Sequence, residues 1–113
     1  MVYEASKEVI DKVYEAIEVA KTTGKIRKGT NETTKVIEKG TAKLVVIAKD
    51  ISPPEITMHI PLLAQEKGVP CVQVPSKEEL GAAAGLDVPT GSVAIVQEGE
   101  AKQLIKEILE SMK

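Results

Sequence analysis

Short aliphatic runs separated by segments of helical periodicity narrow the folds open to this chain more than any other feature. Leu44–Ala48 is a continuous run of five apolar residues, and residues 69–74 and 92–96 supply two further segments of strand length. Aliphatic runs of this kind predict strands buried on both faces, which need helices above and below the sheet. The sequence therefore predicts the α/β class, as a three-layer α-β-α sandwich around a small, largely parallel or mixed sheet.

The intervening segments carry the spacing and end signals of helices. Helices are predicted over residues 6–22, 31–39, 54–67, 76–84 and 100–112, with room for a short strand around residues 25–28. Asn31 is the predicted N-cap of the second helix, Pro61 is predicted to kink the third, and Ser76 with Glu79 forms a capping-box pattern that opens the fourth. The order α-α-β-α-β-α-β-α suits one domain spanning all 113 residues.

Positive charge is concentrated in one stretch of the chain. The net charge is −2, yet residues 21–43 contain seven basic residues against two acidic ones. Such asymmetry marks one face for an anionic partner, although charge alone favours a solvated basic face with no role. With no Phe or Trp, and with Tyr3 and Tyr14 as the only aromatic residues, the chain lacks the stacking platforms of RRM, OB and cold-shock domains.

Residue types that carry catalysis or bind metal are scarce. His59 and Cys71 are the only histidine and cysteine, too few for a zinc site, and no nucleophile stands with a base at a recognisable spacing. We therefore expect no enzyme activity, metal or cofactor, with Cys71 as a buried, inert thiol and His59 as a packed or capping side chain. The sequence shows neither an apolar span of membrane length nor a signal peptide, which predicts a cytoplasmic location.

One helix start carries a set of groups suited to nucleic acid. Gly29-Thr30-Asn31-Glu32 opens the second helix and Lys35 follows one turn later. Free N–H groups and the helix dipole favour a phosphate there, while Asn31 and Lys35 offer donors and Glu32 an acceptor for guanine. That guanine edge becomes accessible in the sheared G·A pairs of a bent RNA. The alternative is a capped helix start with no ligand.

Several separated motifs together closely resemble the L7Ae family of archaeal ribosomal proteins, and the resemblance covers nearly the whole chain. Besides residues 27–35, the matching segments are Ser52-Pro53-Pro54-Glu55-Ile56, His59-Ile60-Pro61-Leu62-Leu63, Val74-Pro75-Ser76-Lys77, Leu80-Gly81 and Leu86-Asp87-Val88-Pro89. The resemblance implies a protein that recognises kink-turns and kink-loops. Its expected RNAs are large-subunit rRNA, box C/D and box H/ACA guide RNAs and ribonuclease P RNA.

The resemblance also implies which residues touch the RNA. Asn31, Glu32 and Lys35 would contact the tandem sheared G·A pairs, within a binding segment that also includes Arg27, Lys28, Gly29 and Thr30, where Gly29 allows a close backbone approach. The loop Leu86, Asp87, Val88 and Pro89 would cover the bend and, with Ile56 and Lys77, border the extruded nucleotide. Ser52 and Asp87 depart from the acidic residue and the Glu common at these positions, which leaves base preference at that nucleotide open.

By the same resemblance, the chain would recruit the core scaffold protein of guide-RNA particles and, through it, the methyltransferase fibrillarin. The third predicted helix, around residues 55–66, is the expected protein surface, and the free chain is expected to be a monomer. A protein–protein adaptor of the same fold without RNA affinity is the competing interpretation, because fold does not fix function. A small-molecule enzyme is the third, and it lacks a candidate site.

Overall fold

The aliphatic run Leu44–Ala48 forms the central strand β3 of a computed structural model that describes residues 3–4, 6–50 and 55–112, with backbone alone at 3–4 and 55–58. All five residues of β3 are buried: Leu44, Val46 and Ala48 join one apolar core, and Val45 and Ile47 join another. Successive side chains of a strand point to opposite faces, so β3 needs apolar cover on both. The predicted three-layer sandwich is confirmed.

The remaining elements follow the predicted order, the short strand allowed around residues 25–28 forms as β2, and the strand β1 is an addition. The strands are β1 Tyr3–Glu4, β2 Lys25–Lys28, β3 Leu44–Ala48, β4 Cys71–Val74 and β5 Ser92–Gln97. The helices are α1 Lys7–Thr23, α2 Thr30–Glu38, α3 Glu55–Lys67, α4 Lys77–Ala83 and α5 Lys102–Ser111, and a 3₁₀ turn over Gly99–Ala101 precedes α5.

The sheet is mixed, with the strand order β1-β4-β3-β5-β2. The pairs β1–β4 and β4–β3 are parallel, whereas β3–β5 and β5–β2 are antiparallel. This topology brings the carboxyl ends of β2, β3 and β4 to the same edge as the amino end of β5. The segments that follow or precede those ends therefore meet at one side of the molecule.

Helices cover the two faces of the sheet unequally. One core joins α1, α4 and α5 to the sheet through residues such as Val13, Ile17, Leu80 and Ile108. The other core is smaller and joins α2 and α3 to the sheet, and its helical members include Val36, Ile37, Ile60 and Ala64. Both α2 and the edge strand β2 thus lie at the side of the molecule that carries the predicted binding segment.

Two predicted helix starts are wrong. α2 begins at Thr30 with Gly29 as its N-cap, so Asn31 lies within the first turn and caps nothing. The Gly29 N–H makes a tertiary hydrogen bond to the Ser92 carbonyl at 2.9 Å, and the Gly29 carbonyl accepts the first hydrogen bond of the helix, from the Thr33 N–H at 3.0 Å. The last helix was predicted to begin at Glu100, but that residue lies in the 3₁₀ turn before α5.

Other local predictions had mixed outcomes. The Ser76 hydroxyl accepts from the Glu79 N–H at 3.2 Å, which confirms the predicted cap of α4. Helix α3 continues through Pro61, whose predicted kink stays a prediction. Strand β1 is two residues long and polar in part, so no sequence pattern indicated it. The predicted turn over residues 50–54 lies, from residue 51 onward, outside the described residues.

Within the described residues, no helix combines the length and the apolar character needed to cross a membrane.

Candidate nucleic-acid interface

The start of α2 depends on a glycine. Gly29 has φ +89°, a conformation that side-chain-bearing residues rarely adopt, and it links the end of β2 to the first residue of α2. Apart from its two chain neighbours, a Cβ built at Gly29 meets no atom of the described residues within 4 Å. The glycine is therefore required by the backbone conformation rather than by internal packing, and the space in front of it is open to a ligand.

The first turn of α2 has no side-chain cap. The earliest N–H groups of a helix have no intrahelical partner, and Gly29 as N-cap offers no side chain to accept from them. The Thr33 N–H is satisfied by Gly29, which leaves the N–H groups of Thr30, Asn31 and Glu32 facing outward from the helix start. Together with the positive end of the helix dipole, these donors favour an anion such as phosphate.

The three predicted base-reading side chains are all exposed around this helix start. Glu32 accepts from the Lys35 ammonium at 3.4 Å, with side-chain exposures of 49% and 65%. An exposed pair of this kind contributes little to stability, so both groups can turn to a ligand at small cost. Asn31 makes no side-chain hydrogen bond among the described residues and offers its full amide to a base edge.

Arg27 and Lys28 reach the same region from the neighbouring edge strand. Both are exposed residues of β2, where Ile26 between Lys25 and Arg27 is buried in the core shared with α1. The Arg27 guanidinium donates to the carbonyl of Ile26 at 3.2 Å. One continuous surface thus runs from the end of β2 to the second turn of α2 and comprises residues 27, 28, 29, 30, 31, 32 and 35.

Ser92 attaches this surface to the sheet and to the loop before β5. Its buried hydroxyl donates to the Thr33 hydroxyl at 3.3 Å. Its carbonyl accepts from the Gly29 N–H at 2.9 Å and from the Thr90 hydroxyl at 3.2 Å. One serine therefore fixes both the start of α2 and the end of the loop, and sequence reasoning missed it because a buried Ser in an apolar strand has no distinguishing pattern.

The loop between α4 and β5 presents the predicted apolar cover. Val88 is 58% exposed, and Asp87 and Pro89 are also exposed, whereas Leu86 is half-buried against the larger core. A Cβ at Gly81 would collide with the carbonyl oxygen of Val88, so the loop lies directly on α4. Of the two apolar residues predicted to meet an extruded base, Val88 is presented to solvent and Leu86 chiefly packs inward.

Lys77 lies beside this loop at the first residue of α4. Its backbone N–H donates to the Asp50 carboxylate at 2.8 Å, and its carbonyl accepts from the Thr90 N–H at 3.1 Å. The hydrogen bonds of Thr90 connect Lys77 to Ser92, so the structure brings the loop, the α4 start and the α2 start to one edge of the sheet. The side chain of Ile56 lies outside the described residues.

His59 differs from its prediction and adds a contact that the sequence did not indicate. It is exposed rather than packed or capping, and its Nε2 lies 3.1 Å from the Thr34 hydroxyl of α2. The Thr34 hydroxyl also lies 2.7 Å from the Thr30 carbonyl, to which it donates, and the tautomer of His59 sets the direction of the bond between Nε2 and Thr34. This bond joins α3 to the helix that carries the candidate site.

Cys71 is buried as predicted, and burial raises the pKa of its thiol to about 12. The thiol is therefore protonated and unreactive near neutral pH. Among the described residues, no three His, Cys, Asp or Glu side chains come together as metal ligands.

Comparison with known proteins gives matches over most of the chain. The profile of the Ribosomal protein L7Ae/L30e/S12e/Gadd45 family matches residues 11–105. Among solved structures, the fold is similar to that of the Giardia lamblia 15.5kD RNA binding protein, with a TM-score of 0.90 and 33% sequence identity. That alignment covers 96% of this chain and 90% of the Giardia chain.

Proposed function

Because this chain belongs to the ribosomal protein L7Ae/L30e/S12e/Gadd45 family, we propose that it is an RNA-binding protein that recognises kink-turns and kink-loops. The observation that carries the proposal is the uncapped start of α2, where Asn31, Glu32 and Lys35 are exposed beside open space at Gly29. The family contains ribosomal proteins, and the Giardia relative is an RNA-binding protein.

The chemistry at α2 fits sheared G·A pairs. In Watson–Crick RNA the base-pairing edge of guanine is occupied, and the deep, narrow major groove excludes side chains. Tandem G·A pairs in a sharp bend open that groove and free guanine donors and acceptors. Glu32 accepts from guanine N–H groups, while Asn31 and Lys35 donate to its O6 and N7 atoms. The free N–H groups of the first turn hold an adjacent phosphate.

The loop over residues 86–89 acts on the bend itself. A nucleotide extruded at the kink exposes both faces of its base to water, and the exposed Val88 with Pro89 offers an apolar surface against one face. Lys77, at the adjoining start of α4, supplies a cation for the neighbouring phosphate, and Ile56 completes the proposed border of the nucleotide. Asp87, shorter than a Glu, reaches less far toward that base.

Each contact favours the bent RNA over the open one. A free kink-turn is an ensemble of both forms, and a ligand shifts that ensemble only by its differential affinity. Asn31, Glu32 and Lys35 find their partners only when the G·A pairs form, and Val88 finds an unstacked base only when the chain is kinked. The protein thereby selects and holds the bent state as a site for assembly of a ribonucleoprotein.

The decisive experiment compares a kink-turn RNA with the same RNA whose G·A pairs are replaced by G·C, titrated by gel shift at fixed salt. We expect binding to the first and at least a ten-fold loss with the second, since each lost bidentate base contact costs about 1–3 kcal/mol. Equal affinity for both RNAs would contradict kink-turn recognition. Absence of binding to either would instead favour the protein–protein adaptor.

In the cell we propose that the RNA targets are large-subunit rRNA, box C/D and box H/ACA guide RNAs and ribonuclease P RNA, in an archaeal cytoplasm. The exposed Leu62 on α3, 62% accessible, supports a protein partner on that helix, such as the scaffold protein that brings fibrillarin. A Leu62→Glu variant should keep RNA affinity and lose recruitment of the scaffold. Loss of RNA affinity as well would place Leu62 in the RNA interface.

A further inference from the structure

A second feature of this side of the molecule is a groove of about 710 Å³ between α2 and the strands β2 and β5. Its lining includes five cationic side chains: Lys25, Arg27, Lys35, Lys39 and Lys43. The apolar residues Val36 and Val96 also line it. Arg27 and Lys35 already belong to the proposed kink-turn site, whereas the other three cations extend away from it.

The arrangement of these cations follows from local geometry. Ile26 of β2 is buried in the core on the α1 side, so the alternation of the strand directs Arg27 to the α2 side. The pairing of β2 with β5 shifts register between Lys25 and Ile26, and Lys25 also lines the groove. Lys35 and Lys39 are four residues apart and share one helix face, separated by about 6 Å along the axis. Lys43 continues the line just before β3.

The groove carries almost no compensating negative charge. Glu32 is its single acidic lining residue, and that carboxylate is paired with Lys35. In the part of the chain that the structure describes, Lys25, Lys39 and Lys43 form no ion pair. Like charges held together repel one another, so an anionic occupant that spans them gains from all three.

We propose that this groove binds the phosphate backbone of the RNA stem that stacks on the G·A pairs. The inference rests on the proposed function, because Glu32 and Lys35 then join the kink-turn site to the groove. Ammonium groups act as compact point charges for phosphates and read no sequence. A paired stem is the fitting occupant, because no aromatic side chain lines the groove for the bases of a single strand to stack on.

The test uses Lys25→Gln/Lys43→Gln, since both side chains are exposed and neither is in the kink-turn site. Affinity is measured against salt for a kink-turn with a long stem beyond the G·A pairs and for one truncated just after them. On the long RNA, loss of two phosphate contacts should reduce the slope of log K against log salt by about 1.4–1.8. On the truncated RNA the variant and the wild type should give the same slope.

A matched control is Lys102→Gln/Lys106→Gln, which removes the same charge from exposed positions of α5. We expect it to leave both slopes unchanged. If the control variant reduces the salt slope equally, the effect is due to net charge. If Lys25→Gln/Lys43→Gln reduces the salt slope equally on both RNAs, the lost contacts are with the kink and not with the stem. Either result overturns the proposal, as does an unchanged slope for Lys25→Gln/Lys43→Gln on the long RNA.

These measurements distinguish a wrong assignment of the groove from a wrong proposed function. If wild-type protein prefers G·A over G·C RNA while the groove variant behaves as wild type, only the groove assignment is wrong. If wild-type protein shows no such preference, kink-turn recognition itself is wrong. Capture of an acidic peptide by the groove, with no dependence on stem length, would identify a protein occupant and also overturn the proposal.

Discussion

The role that can be assigned to Asn31 depends on its position in helix α2. As an N-cap it would satisfy backbone donors, and its removal would cost the helix about 0.5–2 kcal/mol. The structure gives the cap position to Gly29 and leaves Asn31 exposed in the first turn, with no side-chain hydrogen bond among the described residues. Its side chain therefore contributes little to folding and is free for a ligand.

We therefore predict that Asn31→Ala weakens kink-turn binding by about 1–3 kcal/mol while the stability of the protein changes by less than about 0.5 kcal/mol. Titration calorimetry with RNA and thermal unfolding of the free protein measure the two quantities. Gln65→Ala, which truncates an exposed amide on α3, serves as the control. A marked fall in Tm for Asn31→Ala with unchanged RNA affinity would mean that Asn31 stabilises the fold and does not contact RNA.

At the scale of elements, the start of α2 is held by one buried residue of β5. Ser92 contacts Thr33 through its hydroxyl and Gly29 and Thr90 through its carbonyl. The interior offers the Thr33 hydroxyl no water, so its partner matters more than the strength of a single hydrogen bond suggests. This contact fixes the binding helix relative to the loop over residues 86–89.

Ser92→Ala is expected to lower the free energy of unfolding by about 1–3 kcal/mol, because it leaves the Thr33 hydroxyl buried without its partner. In the double variant Thr33→Val/Ser92→Ala both hydroxyls are gone, so the loss should be smaller than the sum of the single losses. Urea unfolding of the four proteins in this cycle measures the coupling. Strict additivity would mean that the two hydroxyls do not stabilise each other.

The loop over residues 86–89 acts through one exposed apolar side chain rather than two. Val88→Ser should reduce bending of a dye-labelled kink-turn in the absence of magnesium, so that energy transfer saturates lower or at higher protein concentration than with wild type. Leu62→Ser is the matched control, since Leu62 is exposed to a similar degree on α3. If Val88→Ser bends the RNA as fully and at the same concentration, α2 alone selects the kink.

Leu86 needs separate treatment because it packs against the larger core. A Leu86→Ser substitution removes apolar burial, so any loss of RNA bending must be compared with the loss of stability. From the sequence, both Leu86 and Val88 were expected to cover the bend. In the structure Leu86 packs against the core, and Val88 is exposed to solvent.

At the scale of the whole molecule, the Cys71 thiol and the Tyr14 hydroxyl make the stability of the fold depend on pH in the alkaline range. Burial raises the pKa of Cys71 to about 12, and burial together with the Glu79 carboxylate raises the pKa of Tyr14 to about 12. Both groups ionise more readily in the unfolded chain, whose ordinary values are 9.0 and 10.0. Their contribution to the free energy of unfolding is complete below pH 9 and decreases as the pH rises from there. The decrease ends above about pH 12, where both groups are ionised in the folded protein as well.

We predict that the urea midpoint of the wild-type protein falls between pH 9 and 11, and that Cys71→Ala shows a smaller fall over the same interval. The variant starts from a lower midpoint at pH 7, because it leaves a small cavity in the core. Tyr14→Phe provides the corresponding comparison for the more exposed group. Parallel pH profiles for wild type and Cys71→Ala would mean that the thiol ionises in the folded protein near its ordinary pKa.

Patterns confined to a few neighbouring residues determined much of this protein in advance. The apolar run of β3 required cover on both faces, the Ser76 hydroxyl capped α4, and the basic segment around Gly29 carried the candidate site. These features depend on side-chain alternation, helix periodicity and the conformational preference of glycine. All of them act within one or two turns of chain, so the sequence by itself contains them.

Only the tertiary structure decided which of these groups meet. Ser92 lies 59 residues from Thr33, and His59 lies 25 residues from Thr34. Strand β1 exists by pairing with β4, and the groove lined by Lys25 and Lys43 needs β2 beside α2. Such contacts depend on the closure of long chain segments and on burial, which no local pattern encodes. The sequence alone therefore contained the groups of the candidate site, and the fold determined their arrangement.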